Sequence, residues 1–232
     1  MSLCTLRDLT QVAMTADYAV PAFNFFTYED AKAIVSGAEA CNSPVILMAS
    51  GSCIKHLGVD LAADVIRTLA EQASVPVVAH LDHASDLDTI FIAMKKGFTS
   101  VMYDGSMLPV EQNIANTQIV CKAAHALGVS VEAEIGRVGK GEEGEDAEEI
   151  LTTPEGAVFF LEKTQVDALA VAVGTRHAMQ KQDAEIRFDI IDELCKVVEV
   201  PLVLHGSSGV ADEHLRRISA TKFGKINIGT VL

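Results

Sequence analysis

Residues 75–83 read Val-Pro-Val-Val-Ala-His-Leu-Asp-His, a short apolar run that ends in a carboxylate and an imidazole. The run is too uniformly apolar for a strand with one exposed face, so it indicates a strand covered on both faces, as in a parallel sheet. We predict this strand at residues 75–81. Similar runs predict seven further strands, at residues 19–25, 45–49, 100–103, 129–134, 168–173, 201–204 and 225–228.

Amphipathic segments with helix start and stop signals lie between these runs. Thr27 and Asp30 form a candidate capping box, and Gly97 follows two lysines at the end of another segment. The predicted helices cover residues 28–41, 87–96, 110–127, 154–163, 188–198 and 212–218. This alternation is typical of an open doubly wound sheet or of a closed (β/α)8 barrel.

The positions of polar residues favour the barrel. They fall at or just past the C-terminal ends of nearly all predicted strands, at Asn24, Ser50, Asp82, Asp104, Glu134, His205 and Asn227. A barrel brings all these ends to one mouth, whereas an open sheet uses only those near its switch point. We therefore predict an α/β fold with one (β/α)8 TIM-barrel domain spanning residues 1–232. Because the chain stops just past the eighth strand, we expect the closing C-terminal helix to be absent.

Residues 136–153 form a long acidic segment that contains four glycines. A loop of this length in a compact domain is usually functional or disordered. We predict that it is a mobile active-site loop.

The composition restricts the class of protein. A net charge of −14 argues against nucleic-acid binding, which requires a basic surface. No run approaches the roughly 18 unbroken apolar residues of a membrane span, and the N-terminus lacks a signal-peptide pattern. Five cysteines without C-x-x-C spacing favour reduced thiols. We expect a cytoplasmic protein without a nucleic-acid or membrane partner.

Three histidines follow the third, sixth and seventh predicted strands: His83, His177 and His205. Each alone is more often a structural or surface residue than a metal ligand. Together at one barrel mouth they would supply the three imidazoles typical of catalytic zinc. Asp82 adds a carboxylate that can carry a proton beside the metal, although a polar strand end that bonds to a neighbouring loop is the alternative interpretation.

Two segments of small residues suit a phosphate group. Residues 206–209 follow the seventh strand and residues 227–230 follow the eighth. Backbone N–H groups at such positions bind anions, and the loops after strands seven and eight of α/β barrels commonly form a phosphate site.

Several motifs together resemble the class II (metal-dependent) ketose-bisphosphate aldolases, a family that includes fructose- and tagatose-bisphosphate aldolases. The motifs are Ala-x-Asn at 22–24, Leu-Asp-His at 81–83, Asp-Gly-Ser at 104–106, Val-Glu-Ala-Glu-Ile-Gly-Arg at 131–137, Leu-His-Gly at 204–206 and Lys-Ile-Asn at 225–227. The similarity runs in order along essentially the whole chain.

The resemblance implies that His83, His177 and His205 bind one zinc ion. It implies that Asp82 transfers the proton of the C4 hydroxyl and that Glu142 handles the proton at C3 of the enediolate. The implied site for the dihydroxyacetone-phosphate half consists of Asn24, Ser50, Ala178, Gly206, Ser207, Ser208, Asn227, Ile228, Gly229 and Thr230. A monovalent cation, Na⁺ or K⁺, is implied near the phosphate.

Asp104 and Glu134 match positions that touch a second metal in some members of the family, and a buried structural role is the alternative. The implied reaction is reversible cleavage of a phosphorylated ketose to dihydroxyacetone phosphate and an aldehyde, in a homodimer or homotetramer. We expect no Schiff-base lysine, because Lys95 and Lys96 end a helix and no lysine lies suitably inside a strand. The alternatives are a metal-dependent isomerase or epimerase, an aldolase for a non-standard ketose phosphate, and a non-catalytic sugar-phosphate sensor.

The chain departs from the family pattern around the second histidine. The family reads Gly-Thr-x-His-Gly-x-Tyr or Phe, whereas this chain has Arg176 before the histidine, Ala178 after it and Gln180 at the aromatic position. A methyl group at residue 178 disfavours a positive φ and crowds a phosphate. We therefore expect the substrate to differ from simple fructose 1,6-bisphosphate.

Overall fold

The structure, a computed structural model, describes residues 2–140 and 149–230. Its strands are β1 (Leu3–Cys4), β2 (Val20–Asn24), β3 (Val45–Ala49), β4 (Val77–Ala84), β5 (Ser100–Tyr103), β6 (Ser130–Ile135), β7 (Gly139–Lys140), β8 (Ala168–Val171), β9 (Arg176–His177), β10 (Leu202–Leu204) and β11 (Phe223–Ile228). Eight of them pair in parallel in chain order, and the pairing of β11 with β2 closes the ring. The predicted α/β barrel is confirmed.

The three other strands lie outside this ring. β1 pairs with the beginning of β4, and β7 and β9 form a separate two-stranded parallel ladder.

The helices are α1 (Leu6–Ala13), α2 (Tyr28–Ala40), α3 (Gly51–Gln72), α4 (Leu87–Lys96), α5 (Val110–Ala126), α6 (Pro154–Lys163), α7 (Phe188–Val197) and α8 (Asp212–Ser219). All six predicted helices are present with ends within one residue of the prediction. Helices α1 and α3 were not predicted. Gly58 interrupts α3 with a φ of 79°, which breaks the apolar periodicity of that segment. None of the helices in the described part of the chain is long and apolar enough to cross a membrane.

Two apolar cores hold the fold together. The larger core lies between the strands and the surrounding helices. The second fills the barrel, and its strand residues are Val20, Ala22, Ile46, Met48, Val78, Met102, Ala168, Ala170 and Val203.

Helix α1 closes the N-terminal end of the barrel. Leu6 and Ala13 of this helix are fully buried in the barrel core. Gly224 allows β11 to lie close to α1, because a Cβ at this position would be 2.7 Å from the carbonyl oxygen of Thr10 in that helix.

The barrel interior changes from apolar to polar along its axis. Side chains two residues apart on a strand face the same way. The side chains of Val78, His80 and Asp82 therefore all point into the barrel, and they follow one another toward its C-terminal mouth. β6 continues the same pattern with Glu132 and Glu134, and both side chains are buried. The polar half lies at the C-terminal mouth, where α/β barrels carry their active sites.

Helix α2 depends on the predicted capping box. The Thr27 hydroxyl accepts the Asp30 N–H, and the Asp30 carboxylate accepts the Thr27 N–H at 3.0 Å. We expect Thr27→Ala to lower the free energy of unfolding by about 1 kcal/mol, measured by urea denaturation. Thr27→Ser keeps the hydroxyl and should retain most of that free energy. An equal loss in both variants would contradict the capping role.

Candidate active site

A bulge in β4 turns two consecutive residues toward the mouth of the barrel. In a regular strand Asp82 and His83 would point to opposite faces. The register between β4 and β5 shifts between Leu81 and Ala84, and His83 has a φ of 50°. This irregularity brings both side chains to the same site.

The three predicted histidines converge at this mouth. His83 comes from β4, His177 from β9 and His205 from the residue after β10. One nitrogen from each ring lies within 4.8 Å of the others, which is a group that can hold a metal ion. The ring centroids are 4.9 Å apart for the pair 83–177, 4.5 Å for 83–205 and 5.7 Å for 177–205.

Carboxylates define the tautomers of two of these rings. His83 Nδ1 lies 2.8 Å from Asp104 Oδ2, and His205 Nε2 lies 2.9 Å from Glu132 Oε1. Because a carboxylate only accepts, each of these nitrogens carries the proton. His83 Nε2 and His205 Nδ1 then face each other at 2.7 Å. Two imidazole lone pairs at this hydrogen-bond distance repel each other, so the two nitrogens require a shared proton, whereas two nitrogens bound to one zinc ion lie farther apart.

The charges around the histidines favour a cation. Burial alone would lower the pKa of His83, but the negative charge of Asp82 and the hydrogen bond to Asp104 raise it to about 10. Burial lowers the pKa of His205 well below its usual value, and the charge of His83 lowers it further. His205 is therefore neutral and has one lone pair to offer.

The Asp82 carboxylate is hydrogen-bonded by two amides and kept ionised by nearby positive charges. Asn24 Nδ2 lies 3.0 Å from Oδ2, and Asn227 Nδ2 lies 3.5 Å from Oδ1. Burial raises the pKa of Asp82, but the charges of His83 and Lys225 outweigh this effect and hold it below its usual value. Asn24 and Asn227, predicted to bind substrate, thus orient the carboxylate of Asp82, the predicted proton carrier.

Asp104 and Glu134 form a second group with His83, and its ligand atoms are within 4.8 Å of one another. Glu134 Oε1 accepts the Val138 N–H at 3.1 Å, and burial raises the pKa of this carboxyl to about 7. Asp104 also accepts the Ser106 hydroxyl at 2.7 Å. Asp104 therefore orients His83, and a second metal here remains a prediction.

The predicted phosphate residues form a turn above β10 and β11. Gly206 has a φ of 67°, and residues 207–209 form one turn of 3₁₀ helix in which Ser208 is half-buried. The Ser207 hydroxyl donates to the Asn227 carbonyl oxygen. Ser207 can therefore offer its backbone rather than its hydroxyl to a ligand.

The remaining predicted contacts are spread around the mouth. The Ser50 hydroxyl caps α3 by accepting the Cys53 N–H, and Ile228 packs against the outer core. Gly229 lies beside Asn24, and Thr230 is exposed. Glu142 lies outside the described residues.

Three buried residues beside the site were not predicted from the sequence: His80, Glu132 and Lys225. Lys225 lies on β11 with its side chain fully buried. Its Nζ lies 2.7 Å from Glu132 Oε2, so its ammonium group is committed to an ion pair. Each of the three precedes a predicted site residue by two positions, a spacing that could have identified them.

Comparison with known proteins agrees with this geometry. Residues 4–232 match the family model described as "Fructose-bisphosphate aldolase class-II". The chain belongs to this family.

Three known proteins are similar to this chain in sequence or in fold. The sulfofructosephosphate aldolase of Alkalicoccus urumqiensis is 34% identical over 235 residues, which cover 100% of this chain and 82% of that protein. The crystal structure of the YdjI aldolase from Escherichia coli K12 superposes with a TM-score of 0.88 at 31% identity, covering 99% of this chain and 82% of that one. The fructose-bisphosphate aldolase of Campylobacter jejuni shares the fold, with a TM-score of 0.83, 24% identity and coverage of 99% and 78%.

The departure from the class II aldolase pattern lies directly beside the histidines. Ala178 adopts a φ of 61°, so the alanine keeps the left-handed backbone that favours glycine. The Arg176 side chain is exposed. The backbone of Arg176 packs against Gly206, where a Cβ would lie 2.5 Å from the Arg176 carbonyl oxygen.

Gly206→Ala tests how the aldolase site is held together. The added methyl group clashes with the segment that carries His177 and imposes a left-handed alanine, which costs about 1–2 kcal/mol by itself. We expect lower stability and weaker zinc binding, measured by urea denaturation and by competition with a chromophoric chelator. The control is Gly37→Ala in α2, where nothing lies within 4 Å of the added Cβ. Wild-type zinc affinity in Gly206→Ala would contradict this account.

Proposed function

We propose that this protein is a zinc-dependent aldolase that reversibly cleaves a phosphorylated ketose to dihydroxyacetone phosphate and an aldehyde. The observation that carries the proposal is the convergence of three imidazoles beside Asp82 at the barrel mouth. Membership of the class II aldolase family supports it.

The residues present fit a zinc ion. Imidazole nitrogen is a preferred zinc ligand, and three protein ligands leave a position for substrate oxygens. His83 and His205 each donate their outer N–H to a carboxylate, the usual arrangement around zinc-binding histidines.

Bound zinc would polarise the C2 carbonyl and stabilise the negative charge left at C3 after cleavage. Asp82 accepts the proton of the C4 hydroxyl while the C3–C4 electron pair passes to the dihydroxyacetone-phosphate half and the aldehyde leaves. In the synthetic direction Asp82 returns this proton to the aldehyde oxygen. Asn24 and Asn227 hold its carboxylate in place. Glu142 is our candidate for protonating C3.

The backbone N–H groups of residues 206–208 and 227–230 are our candidates for binding the phosphate of the dihydroxyacetone half. The commitment of the Ser207 hydroxyl to Asn227 favours backbone recognition. The monovalent cation beside this phosphate remains a prediction. A homodimer or homotetramer and a cytoplasmic location complete the proposal, and light scattering tests the former.

A second candidate concerns the far end of the substrate, which carries either a phosphate or a sulfonate. The sulfonate is favoured by the name of the 34% identical relative, and by the departure from the family pattern at Arg176 and Ala178. Cleavage assays with fructose bisphosphate, tagatose bisphosphate and sulfofructose phosphate distinguish the two. A large preference for sulfofructose phosphate would select the sulfonate.

Metal dependence has a direct test. We expect dialysis against a chelator to abolish cleavage and added zinc to restore it. Borohydride with substrate should trap no adduct, because Lys225 is paired with Glu132. A trapped lysine adduct would refute the metal mechanism.

Isomerised ketose without any triose product would instead indicate an isomerase or epimerase, and zinc and ligand binding without turnover would indicate a sensor.

Asp82→Ala tests the proton carrier. We expect zinc to bind while the turnover number falls by about 10²- to 10⁴-fold, because the C4 hydroxyl loses its base. The matched control is Asp88→Ala, which removes an exposed carboxylate from α4. Full activity in Asp82→Ala would exclude Asp82 as the base.

A further inference from the structure

A continuous set of hydrogen bonds crosses the polar half of the barrel interior. It joins five fully buried side chains, each on a different strand or directly after one: His80, Ser100, Glu132, His205 and Lys225. Lys225 Nζ lies 2.7 Å from Glu132 Oε2 and 3.3 Å from His80 Nε2. His80 Nδ1 lies 2.8 Å from Ser100 Oγ, and Glu132 Oε1 lies 2.9 Å from His205 Nε2.

The chemistry of the groups gives the direction of each bond. An ammonium group only donates, so Lys225 donates to Glu132 and to His80 Nε2. His80 then carries its proton on Nδ1, which donates to Ser100. Glu132 accepts from Lys225 through Oε2 and from His205 Nε2–H through Oε1. The lone pair of His205 Nδ1 is thereby directed at His83.

We propose that Glu132 and Lys225 are positioning residues that hold His205 in the tautomer and orientation required of a metal ligand. This inference rests on the proposed function, in which His205 binds zinc. Glu132 acts on the imidazole directly. Lys225 acts through Glu132, because it occupies the second oxygen and supplies the balancing charge inside the barrel.

The two acceptor oxygens of Glu132 are essential to this role. A glutamine has one acceptor oxygen and one donor nitrogen, so it cannot accept from Lys225 and His205 together. With Lys225 present, the glutamine oxygen faces the ammonium group and its NH₂ faces His205. His205 must then carry its proton on Nδ1, where it blocks ligation.

The first experiment measures zinc affinity of Glu132→Gln by competition with a chromophoric chelator. We expect a loss of about 10- to 100-fold, as for other partners of metal-binding histidines. The visible absorption bands of the Co²⁺-loaded protein should also change, because the ligand geometry changes. Wild-type affinity and an unchanged Co²⁺ spectrum would overturn the proposal.

Asp167→Asn is the matched control. Asp167 is a buried carboxylate at the opposite end of the barrel, 2.9 Å from His125 Nε2 and 3.2 Å from Arg7 Nη1. Its substitution disturbs a similar carboxylate–histidine–cation group without touching the site. We expect wild-type zinc affinity, and an equal loss in both variants would assign the effect to general destabilisation.

Two double variants separate positioning from charge balance. Glu132→Gln with Lys225→Met and Glu132→Leu with Lys225→Met both remove the two charges, but only the glutamine can accept from His205. We expect the glutamine protein to keep near wild-type zinc affinity and the leucine protein to lose about 10- to 100-fold. Equal affinities would overturn the proposal. Circular dichroism checks folding, and if the leucine protein does not fold, the Co²⁺ spectrum of Glu132→Gln decides.

The same measurements on the wild-type protein distinguish this inference from the function on which it rests. If the wild-type protein binds no zinc, the proposed function fails. If it binds zinc tightly and Glu132→Gln binds it equally well, only the positioning role fails.

Discussion

Two imidazole nitrogens that face each other across the barrel mouth govern this site. His83 Nε2 and His205 Nδ1 are 2.7 Å apart, and each ring has its outer N–H bonded to a carboxylate. This arrangement is stable only with positive charge between the rings. The carboxylates of Asp82, Asp104 and Glu132 surround the two rings with negative charge. Together they therefore stabilise the positive charge that the rings carry.

The barrel interior consists of an apolar half and a polar half, and the charged groups of the site lie in the polar half. The N-terminal half is apolar and is closed by α1, so it provides burial and rigidity. The C-terminal half carries polar side chains that satisfy one another across strands that are not neighbours, as Lys225 and Glu132 do. The buried charges of Lys225 and Glu132 are tolerated because these two residues pair with each other, whereas an isolated charge would be very costly. The rigid half thus supports a polar half in which donor geometry is well defined.

The sequence predicted the barrel because uniform apolar runs and polar strand ends are independent signals that agree. The same reasoning found Asp82, His83, His177 and His205, since each follows or ends a strand. Helix α1 was missed although Thr5 and Asp8 form a capping box, because eight residues give little periodicity. The two-residue spacing could have placed Glu132 and Lys225 on the interior face of the barrel, but their pairing with each other is not visible in the sequence, because they lie on strands far apart in the chain.

The left-handed backbone of His83 limits which residue can act as the proposed metal ligand at this position. Among residues other than glycine, this conformation is tolerated best by asparagine, aspartate and histidine. Cysteine and glutamate bind zinc well in other proteins, but here they would carry the added cost of an unfavourable φ. The backbone conformation thus restricts the residue types at position 83, independently of how well their side chains would bind a metal. A substitution meant to change which metal the proposed site prefers is accordingly better tolerated at His205, which lies outside the bulge.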